Sequence, residues 1–397
     1  MEKIEIEVAG KKISMQKGDV AKQAHGAVWV QSGDTIVLTT AVAADQPRED
    51  ANFLPLMCEY REQTSAAGKI PGGFFKREGR PTEREVLTSR VIDRSLRPLF
   101  PSTYNHDVQI TSLLLSADTD NDPEVLSVLG ASAALCSSPI PFNGPVAAVR
   151  VGLVDNVFIL NPGLSHLERS EINLLLSGTE KSIIMMEGSC REISEDKFLE
   201  ALAFGWKHLS SLLSVQHEWW VQKPDWSLTQ DSPWKQRAEE WLDEQLPQAY
   251  QYPEKSARAQ FYEKLKEQFL LNCPEEEKEL AASLFEAALE DRIRKLILNT
   301  GRRLDGRGAK EIRPVDIKVG LLPRNHGSAL FTRGQTQCIA SVTLGAKHDE
   351  QRIDGLFEET TKRFMLHYNF PPFCVGEAVP MRSPSRREIG HGALAER

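Results

Sequence analysis

The sequence predicts an α+β fold built on a duplicated core. Three observations carry that expectation. Strand-like and helix-like stretches mix without the strict alternation of a βαβ protein. A helix-rich segment interrupts the chain beyond its middle. A short motif recurs on the far side of that segment, again leading into a strand. The 397 residues, at roughly 150 per domain, suit two or three domains. With 41% hydrophobic and 26% charged residues, the composition is that of a soluble globular chain. A disordered chain, a collagen-like fibre and a disulfide mini-protein are thereby excluded.

The N-terminal stretch, residues 1–60, reads as β structure. Ile4, Ile6 and Val8 alternate with polar neighbours, the period of a half-buried strand. Gly10-Lys11-Lys12 reads as a turn and Ile13-Ser14-Met15 as a return strand. Ala27–Val30, Gly33-Asp34 and Thr35–Val42 read as a hairpin with a β-branched second strand. A helix is expected from Thr82 to Leu96, between Pro81 and Pro98. Another starts at Asp122, a good N-cap, with Pro123 at the first helical position. Its small residues, Gly130 to Ala134, imply close packing against a sheet. Val146–Val151, Val157–Leu160 and Ile172–Met186 return to strands, and Phe198–Leu213 reads as a closing helix.

Composition shifts near residue 218. Trp219, Trp220, Trp226, Trp234 and Trp241 fall among Gln, Glu and Lys. They are expected to pack a helical linker rather than to stack bases. The clearest helix follows Pro274 with Glu275, Glu276 and Glu277 in its first turn, where the helix dipole favours anions. Leu280, Leu284, Ala288 and Ile293 mark one face, and Gly301 follows the end. The domains expected are 1–218, a first core; 219–300, an all-helical linker; and 301–397, the start of a second core.

The duplication rests on two echoes. His326–Thr336 lies on His25–Thr35 without gaps, sharing His, Gly, Gly and Thr. Arg386-Arg387-Glu388 is read against Lys76-Arg77-Glu78.

Net charge is −8, so any polyanion must be met by locally concentrated basic residues. Lys69–Arg97 supplies them, with eight basic and four acidic residues. Its loop holds Gly72, Gly73, Phe74, Phe75, Lys76, Arg77 and Arg80. Paired Phe rings in a loop either pack inward or stack on a ligand, and single-stranded nucleic acid offers a π face at every base. Arg90, Arg94 and Arg97 share one face of the expected helix. They suit a phosphate track, where arginine offers bidentate forks; the plain alternative is a solvated face with intrahelical ion pairs. Arg386 and Arg387, before a helix start, outline a second anion site. His391 beside them is a candidate acid, base or phosphate contact, or a satisfied structural histidine.

Other chemistry lacks its signature. The sequence has no P-loop, no nucleophile elbow and no zinc-protease helix. Asp118, Asp120 and Asp122 do not complete a calcium loop and are expected to cap the following helix. The six cysteines are scattered without a C-x-x-C pair, which suits reduced thiols in a cytoplasmic protein. The N-terminus carries no signal-peptide pattern, and no membrane span is expected.

Six motifs together resemble the polynucleotide phosphorylase (polyribonucleotide nucleotidyltransferase) family of the ribonuclease PH superfamily. They are Pro71-Gly-Gly-Phe-Phe-Lys-Arg-Glu-Gly-Arg-Pro81, Arg90-Val-Ile-Asp-Arg-Ser-Leu-Arg-Pro-Leu-Phe-Pro101, Gly130-Ala-Ser-Ala-Ala-Leu135, Pro141-Phe-Asn-Gly-Pro145, Arg303-Leu-Asp-Gly-Arg307 and Ser385-Arg-Arg-Glu-Ile-Gly-His-Gly392. They run in family order over nearly the whole chain, and 219–275 is the least similar stretch.

The resemblance implies two ribonuclease-PH-like cores joined by a helical domain, in a homotrimer around a channel for single-stranded RNA. It implies reversible 3′-to-5′ phosphorolysis that releases nucleoside diphosphates, in mRNA turnover. Inorganic phosphate would be the co-substrate and Mg2+ the metal, and an RNA-degradation complex a partner. Phe74, Phe75, Lys76, Arg77 and Arg80 would line the RNA path, with Arg90, Arg94 and Arg97 supporting. Arg386, Arg387 and His391 would belong to the catalytic site of the second core. The family's phosphate-binding serines and magnesium-binding aspartates lie further along than Arg397, so no metal ligand is expected within this chain. Little or no phosphorolysis is expected of the 397 residues alone, and apolar surface should be exposed after about residue 301. The alternatives are a truncated, non-catalytic RNA-binding or scaffold paralogue and, more remotely, a phosphotransferase acting on something other than RNA.

Overall fold

The fold is described from a computed structural model, which covers residues 1–48, 53–224, 226 and 232–397. Residue 225 and residues 227–231, inside the expected linker, lie outside the described residues. The chain divides into two compact units, 1–226 with 349–397, and 227–348.

The first unit begins with alternating sequence, and alternation makes strands. β1 (Glu2–Val8), β2 (Lys11–Lys17), β3 (Gly26–Ser32) and β4 (Thr35–Pro47) form an antiparallel meander. β5 (Leu56–Glu62) follows, then helix α1 (Glu83–Leu96), then β6 (His106–Ser116). β6 inserts between β4 and β5, antiparallel to one and parallel to the other, giving the order β1-β2-β3-β4-β6-β5. Helix α2 (Pro123–Cys136) starts where expected, with Asp122 accepting from the Glu124 amide at 2.9 Å.

α2 is the centre of this unit. Every residue of it except Glu124 is buried, as a helix covered on both sides must be. Its approach to the sheet needs small residues. A Cβ on Gly130 would come within 2.7 Å of Thr39 Oγ1, and one on Gly26 within 2.8 Å of the Ala134 carbonyl carbon. Behind α2 lies a second sheet of β7 (Ala147–Val154), β8 (Val157–Leu160), β9 (Ile172–Gly178) and β10 (Ile183–Cys190), ordered β10-β9-β7-β8. Short helix α3 (Leu164–Arg169) joins β8 to β9. The expected closing helix is two helices, α4 (Glu195–Lys207) and α5 (Leu209–Ser214), broken at His208.

In the second unit, α6 (Pro233–Gln245), α7 (Lys255–Leu270) and α8 (Lys278–Thr300) bury Trp234, Ala238, Leu242, Leu265, Phe269 and Phe285 together. The buried face of α8 is Ala281, Leu284, Phe285 and Ala288, while Leu280, expected inside, is exposed. Gly301 ends the helix in the left-handed conformation, φ 64°. Trp234 and Trp241 pack this bundle, but Trp219 and Trp226 do not. Trp219 is buried in the core of the first unit, and Trp226 meets Tyr104 edge-on at 4.8 Å. Strands β11 (Val315–Val319), β12 (Gly327–Arg333) and β13 (Thr336–Val342) form a small sheet with Ile317, Val319, Ile339 and Val342 exposed. The chain then returns to the first unit with β14 (Gln351–Asp354), β15 (Glu359–Lys362) and helix α9 (Arg386–Glu396).

The duplication is visible bond by bond. Hairpin β3–β4 pairs Gly26 with Ala41 and Ser32 with Thr35; hairpin β12–β13 pairs Gly327 with Val342 and Arg333 with Thr336. In each, the leading histidine accepts at Nδ1 from an amide eighteen residues on, His25 from Ala43 at 3.1 Å and His326 from Leu344 at 2.8 Å. Thr64–Ala67 and Pro372–Val375 are both single 3-10 turns ended by a left-handed glycine, Gly68 and Gly376.

The second echo is corrected by the structure. Lys76-Arg77-Glu78 lies in a loop, whereas Arg386-Arg387-Glu388 opens α9. The counterpart of Ser385–Glu388 is Thr82–Glu85. Both are capping boxes that start a helix, α9 and α1. Both glutamates also reach back to a preceding segment, Glu85 to the Glu62 amide and Glu388 to the Phe370 amide, each at 2.8 Å.

Glu85 is 3% exposed and so carries the larger share of this tie. Replacing it with Ala should cost about 2–4 kcal/mol, from a lost cap and a lost charge-assisted bond. Urea denaturation of Glu85→Ala measures this, and a loss below about 0.5 kcal/mol, the scale of an ordinary surface change, would contradict it.

Candidate functional site

The loop between β5 and α1 is built to present side chains. Glu78 anchors it by accepting from the Thr64 amide at 3.0 Å, and Arg61 donates to the Gly79 carbonyl at 2.9 Å. Between these ties Phe74 and Phe75 are 92% and 87% exposed, edge to face at 5.4 Å. Burying such a side chain is worth about 1.5–3 kcal/mol, so a fold that leaves two of them in water offers a stacking surface. Lys76, with φ 49°, Arg77 and Arg80 are exposed and form no ion pair among the described residues.

The arginines of α1 share a face but not a fate. Arg97 is held on four sides, by both oxygens of Asp93 at 2.7 and 2.8 Å and by the carbonyls of Leu54 and Leu56 at 2.9 and 3.1 Å. It ties the helix to the chain ahead of β5. Arg94 is held by Glu187 at 2.6 Å. Arg90 is half-buried and has no hydrogen-bond partner among the described residues. Burial and the charge of Arg94 hold its guanidinium below the usual range.

α9 brings the second constellation to Arg90. A Cβ built on Gly390 would lie 2.7 Å from Arg90 Cδ and 2.8 Å from its Cζ, so Arg90 lies directly over that glycine. Arg387 is exposed, stacks over the Phe370 ring at 5.1 Å and forms no ion pair among the described residues. His391 meets Tyr368 edge-on at 5.2 Å. Burial, then Arg90 and Arg387, lower its pKa, which favours the neutral imidazole. Arg386, one turn position away, is engaged elsewhere. It donates to the Cys58 carbonyl at 2.5 Å and pairs with Glu59. The expected pair Arg386-Arg387 is therefore split into one held and one free guanidinium.

The structure adds a third cluster. Arg150, on β7, pairs with Asp122 at 2.6 Å and with Glu124, and donates to Asn173 at 2.6 Å. Against the penalty of burial, Arg150 holds the Asp122 carboxyl below its usual range, whereas burial leaves Glu124 above it. The cluster borders a cavity of about 130 Å³ lined also by Glu187, Ser189 and Arg397. Glu187 accepts from Arg94 at 2.6 Å and from Arg397 at 3.0 Å. One signal in the sequence could have exposed this cluster, an arginine inside the apolar run Val149-Arg150-Val151. Of the three aspartates before α2, only Asp122 caps. Asp118 instead closes the turn, accepting from the amides of Asp34, Asp120 and Asn121 at 2.8–2.9 Å.

Among the described residues no group of three or more His, Cys, Asp or Glu gathers as metal ligands do, and no helix is long and apolar enough to cross a membrane. What the arrangement offers is uncommitted positive charge beside aromatic faces.

Comparison with known proteins agrees with the internal repeat. The family model "3′ exoribonuclease family, domain 1" matches twice, over residues 9–141 and 311–397, and "domain 2" of the same family matches 144–207. Residues 235–308 match "Polyribonucleotide nucleotidyltransferase, RNA binding domain". Proteins named polyribonucleotide nucleotidyltransferase from Desulfosudis oleivorans, Roseiflexus sp. and Geotalea daltonii are each 46% identical over 99%, 99% and 100% of this chain. The chain spans about half the length of these relatives, 56%, 54% and 58% respectively.

Arg150 gives this site its sharpest energetic test. Arg150→Met leaves two half-buried carboxylates, Asp122 and Glu124, without their guanidinium partner and should cost about 2–4 kcal/mol. Adding Asp122→Asn and Glu124→Gln should recover most of that loss. Thermal and urea unfolding report both effects, and a single variant as stable as the parent would contradict the pairing.

Proposed function

Because the chain belongs to the 3′ exoribonuclease family, we propose that it serves a polyribonucleotide nucleotidyltransferase, which degrades single-stranded RNA from the 3′ end by phosphorolysis and polymerises in reverse. The observation that carries this reading is the set Lys76, Arg77, Arg80, Arg90 and Arg387, which form no ion pair among the described residues, in a chain of net charge −8. Their neighbours Arg94, Arg97 and Arg386 are all held by acceptors. Free guanidinium groups beside exposed Phe74 and Phe75 suit a flexible strand with regularly spaced phosphates and bases.

In the reaction, an oxygen of inorganic phosphate attacks the terminal phosphodiester phosphorus. The bond from that phosphorus to the preceding 3′ oxygen breaks. A nucleoside diphosphate leaves, and the shortened RNA keeps a 3′ hydroxyl. No protein nucleophile is required. The protein must gather two phosphate groups against their mutual repulsion and stabilise the charge of the transition state. Arg387 and Arg90 are suited to that task, with neutral His391 as a further donor. Arg386 supports them as a strut to Glu59.

Magnesium and inorganic phosphate come with the same reading. Among the described residues no carboxylate cluster suits a divalent ion, and Asp122, Glu124 and Glu187, which border the cavity, are already paired with Arg150, Arg94 and Arg397. The steps assigned to this chain are therefore those of its arginines. The reading also carries a homotrimer around an RNA channel, a place in an RNA-degradation complex and in mRNA turnover, and a cytoplasmic location. The domain partition at 1–218, 219–300 and 301–397 is supported by the spacing of the family-model matches. A purely structural paralogue is less well supported, because named nucleotidyltransferases share 46% identity along nearly the whole chain.

Arg77→Ala with Arg80→Ala should weaken binding of a short oligoadenylate and reduce the slope of log K against log salt by roughly 0.7 per arginine. Phe74→Ala with Phe75→Ala should weaken binding by about 1–3 kcal/mol per stacked base and leave the salt slope in place. Fluorescence anisotropy across a salt series reads both, and an unchanged slope in the arginine variant would overturn the interface.

A further inference from the structure

Glycine inside a helix is less favourable than alanine, so a buried one invites a packing explanation. α9 carries Gly390 in its middle, and it is buried. Because α1 and α9 start with matching capping boxes, its counterpart in α1 is Leu87. The two copies differ here in a directional way. The first copy has a leucine at this point and an arginine, Arg90, three residues later. The second copy has a glycine, and Ala393 three residues later. The missing side chain of one helix faces the long side chain of the other, and Arg90 Cδ and Cζ fill the place a Cβ would take, at 2.7 and 2.8 Å.

We propose that Gly390 is a positioning residue, a notch in α9 that admits Arg90 of α1 to the Arg387–His391 cluster, so that one phosphate-binding group is assembled from both copies. The inference rests on the phosphate-handling role given to that cluster above. Three features support it. Arg90 is half-buried yet has no hydrogen-bond partner among the described residues, an arrangement that a bound oxyanion would complete. Arg387, on the same helix and three positions before the notch, forms no ion pair among the described residues. The atoms that an added Cβ would displace belong to a flexible side chain rather than to backbone. Filling the notch should therefore move Arg90 without unfolding the protein, which separates positioning from packing.

The test is a double-mutant cycle on the 397-residue chain, read by anisotropy of a labelled oligoadenylate, with Arg387→Ala as reference. Arg90→Ala and Gly390→Ala are each expected to weaken binding about tenfold, one charge-assisted contact. Arg90→Ala should also lower the salt slope by about 0.7. The double variant should bind no worse than Arg90→Ala alone, because the notch matters only when there is an arginine to admit. Gly390→Ala should unfold at the temperature of the parent. Arg90→Gln, which leaves the glycine in place, should lose the same affinity and so tests the contact independently of helix packing. Parental affinity in Gly390→Ala, while Arg387→Ala binds weakly, would overturn the notch and leave the proposed function standing. Additive losses in the double variant would likewise overturn it. Parental affinity in Arg387→Ala and Arg90→Gln together would overturn both the cluster and the notch.

Discussion

A single kind of carboxylate contact, used twice, organises the parts of this protein proposed to face RNA. Glu85 closes the first turn of α1 and at the same time accepts from the amide of Glu62 at the end of β5. Glu388 does the same for α9 and the amide of Phe370. A helix N-terminus exposes amides that need acceptors, and a strand end leaves another. One buried or half-buried carboxylate satisfies both and thereby fixes the angle between helix and strand. The loop with Phe74 and Phe75 must then arch outward between Glu62 and Thr82. Arg387 must then emerge from the first turn of α9 beside Phe370. Backbone hydrogen bonds from Phe370 and Ser385 hold the Glu388 carboxyl below its usual range. Its contribution is therefore present above the ordinary glutamate pKa and is lost as the pH falls through the lowered value.

The rest follows from how charge is shared out. The chain is acidic overall, and about half of its arginines have an acceptor within reach among the described residues. Arg97 is consumed by Asp93 and two carbonyls, Arg94 by Glu187, Arg150 by Asp122 and Glu124, and Arg386 by Glu59. These pairs hold elements together and carry little field outward. Of the arginines without an acceptor among the described residues, Arg77 and Arg80 lie in the loop after β5, and Arg90 and Arg387 lie at the crossing of α1 with α9. At both places aromatic rings accompany them. A polyanion with stackable bases is complementary to that surface, whereas the global charge alone would repel it.

Much of this was legible from residue patterns, because the signals were local. Pro81 and Pro98 bracket α1, Asp122 with Pro123 marks α2, and Gly301 ends α8. The repeated His-Gly hairpin was legible because a turn, its glycine and the capping histidine act within eighteen residues. What depended on distant partners was not legible. Strand β6 buries Val108, Ile110, Ser112 and Leu114, but Leu113 and Leu115 blur its period of two. The echo of Lys76-Arg77-Glu78 in Arg386-Arg387-Glu388 matched composition and missed backbone state. Proximity in sequence groups the tryptophans, but Trp219 and Trp226 turn back to the first unit. Arg90, Arg94 and Arg97 share a helical face, yet acceptors supplied by other elements decide which of them stays free.

The most direct measurement tests the proposed interface by mapping where single-stranded RNA contacts the chain. Photo-crosslinking of an oligonucleotide carrying 4-thiouridine near its 3′ end, followed by peptide mass spectrometry, reads it. Adducts are expected on the loop that contains Phe74 and Phe75 and on the stretch from Tyr368 to His391. Adducts confined to the strands β11–β13 or to the helical bundle, with neither of those segments labelled, would contradict an interface built from the uncommitted arginines.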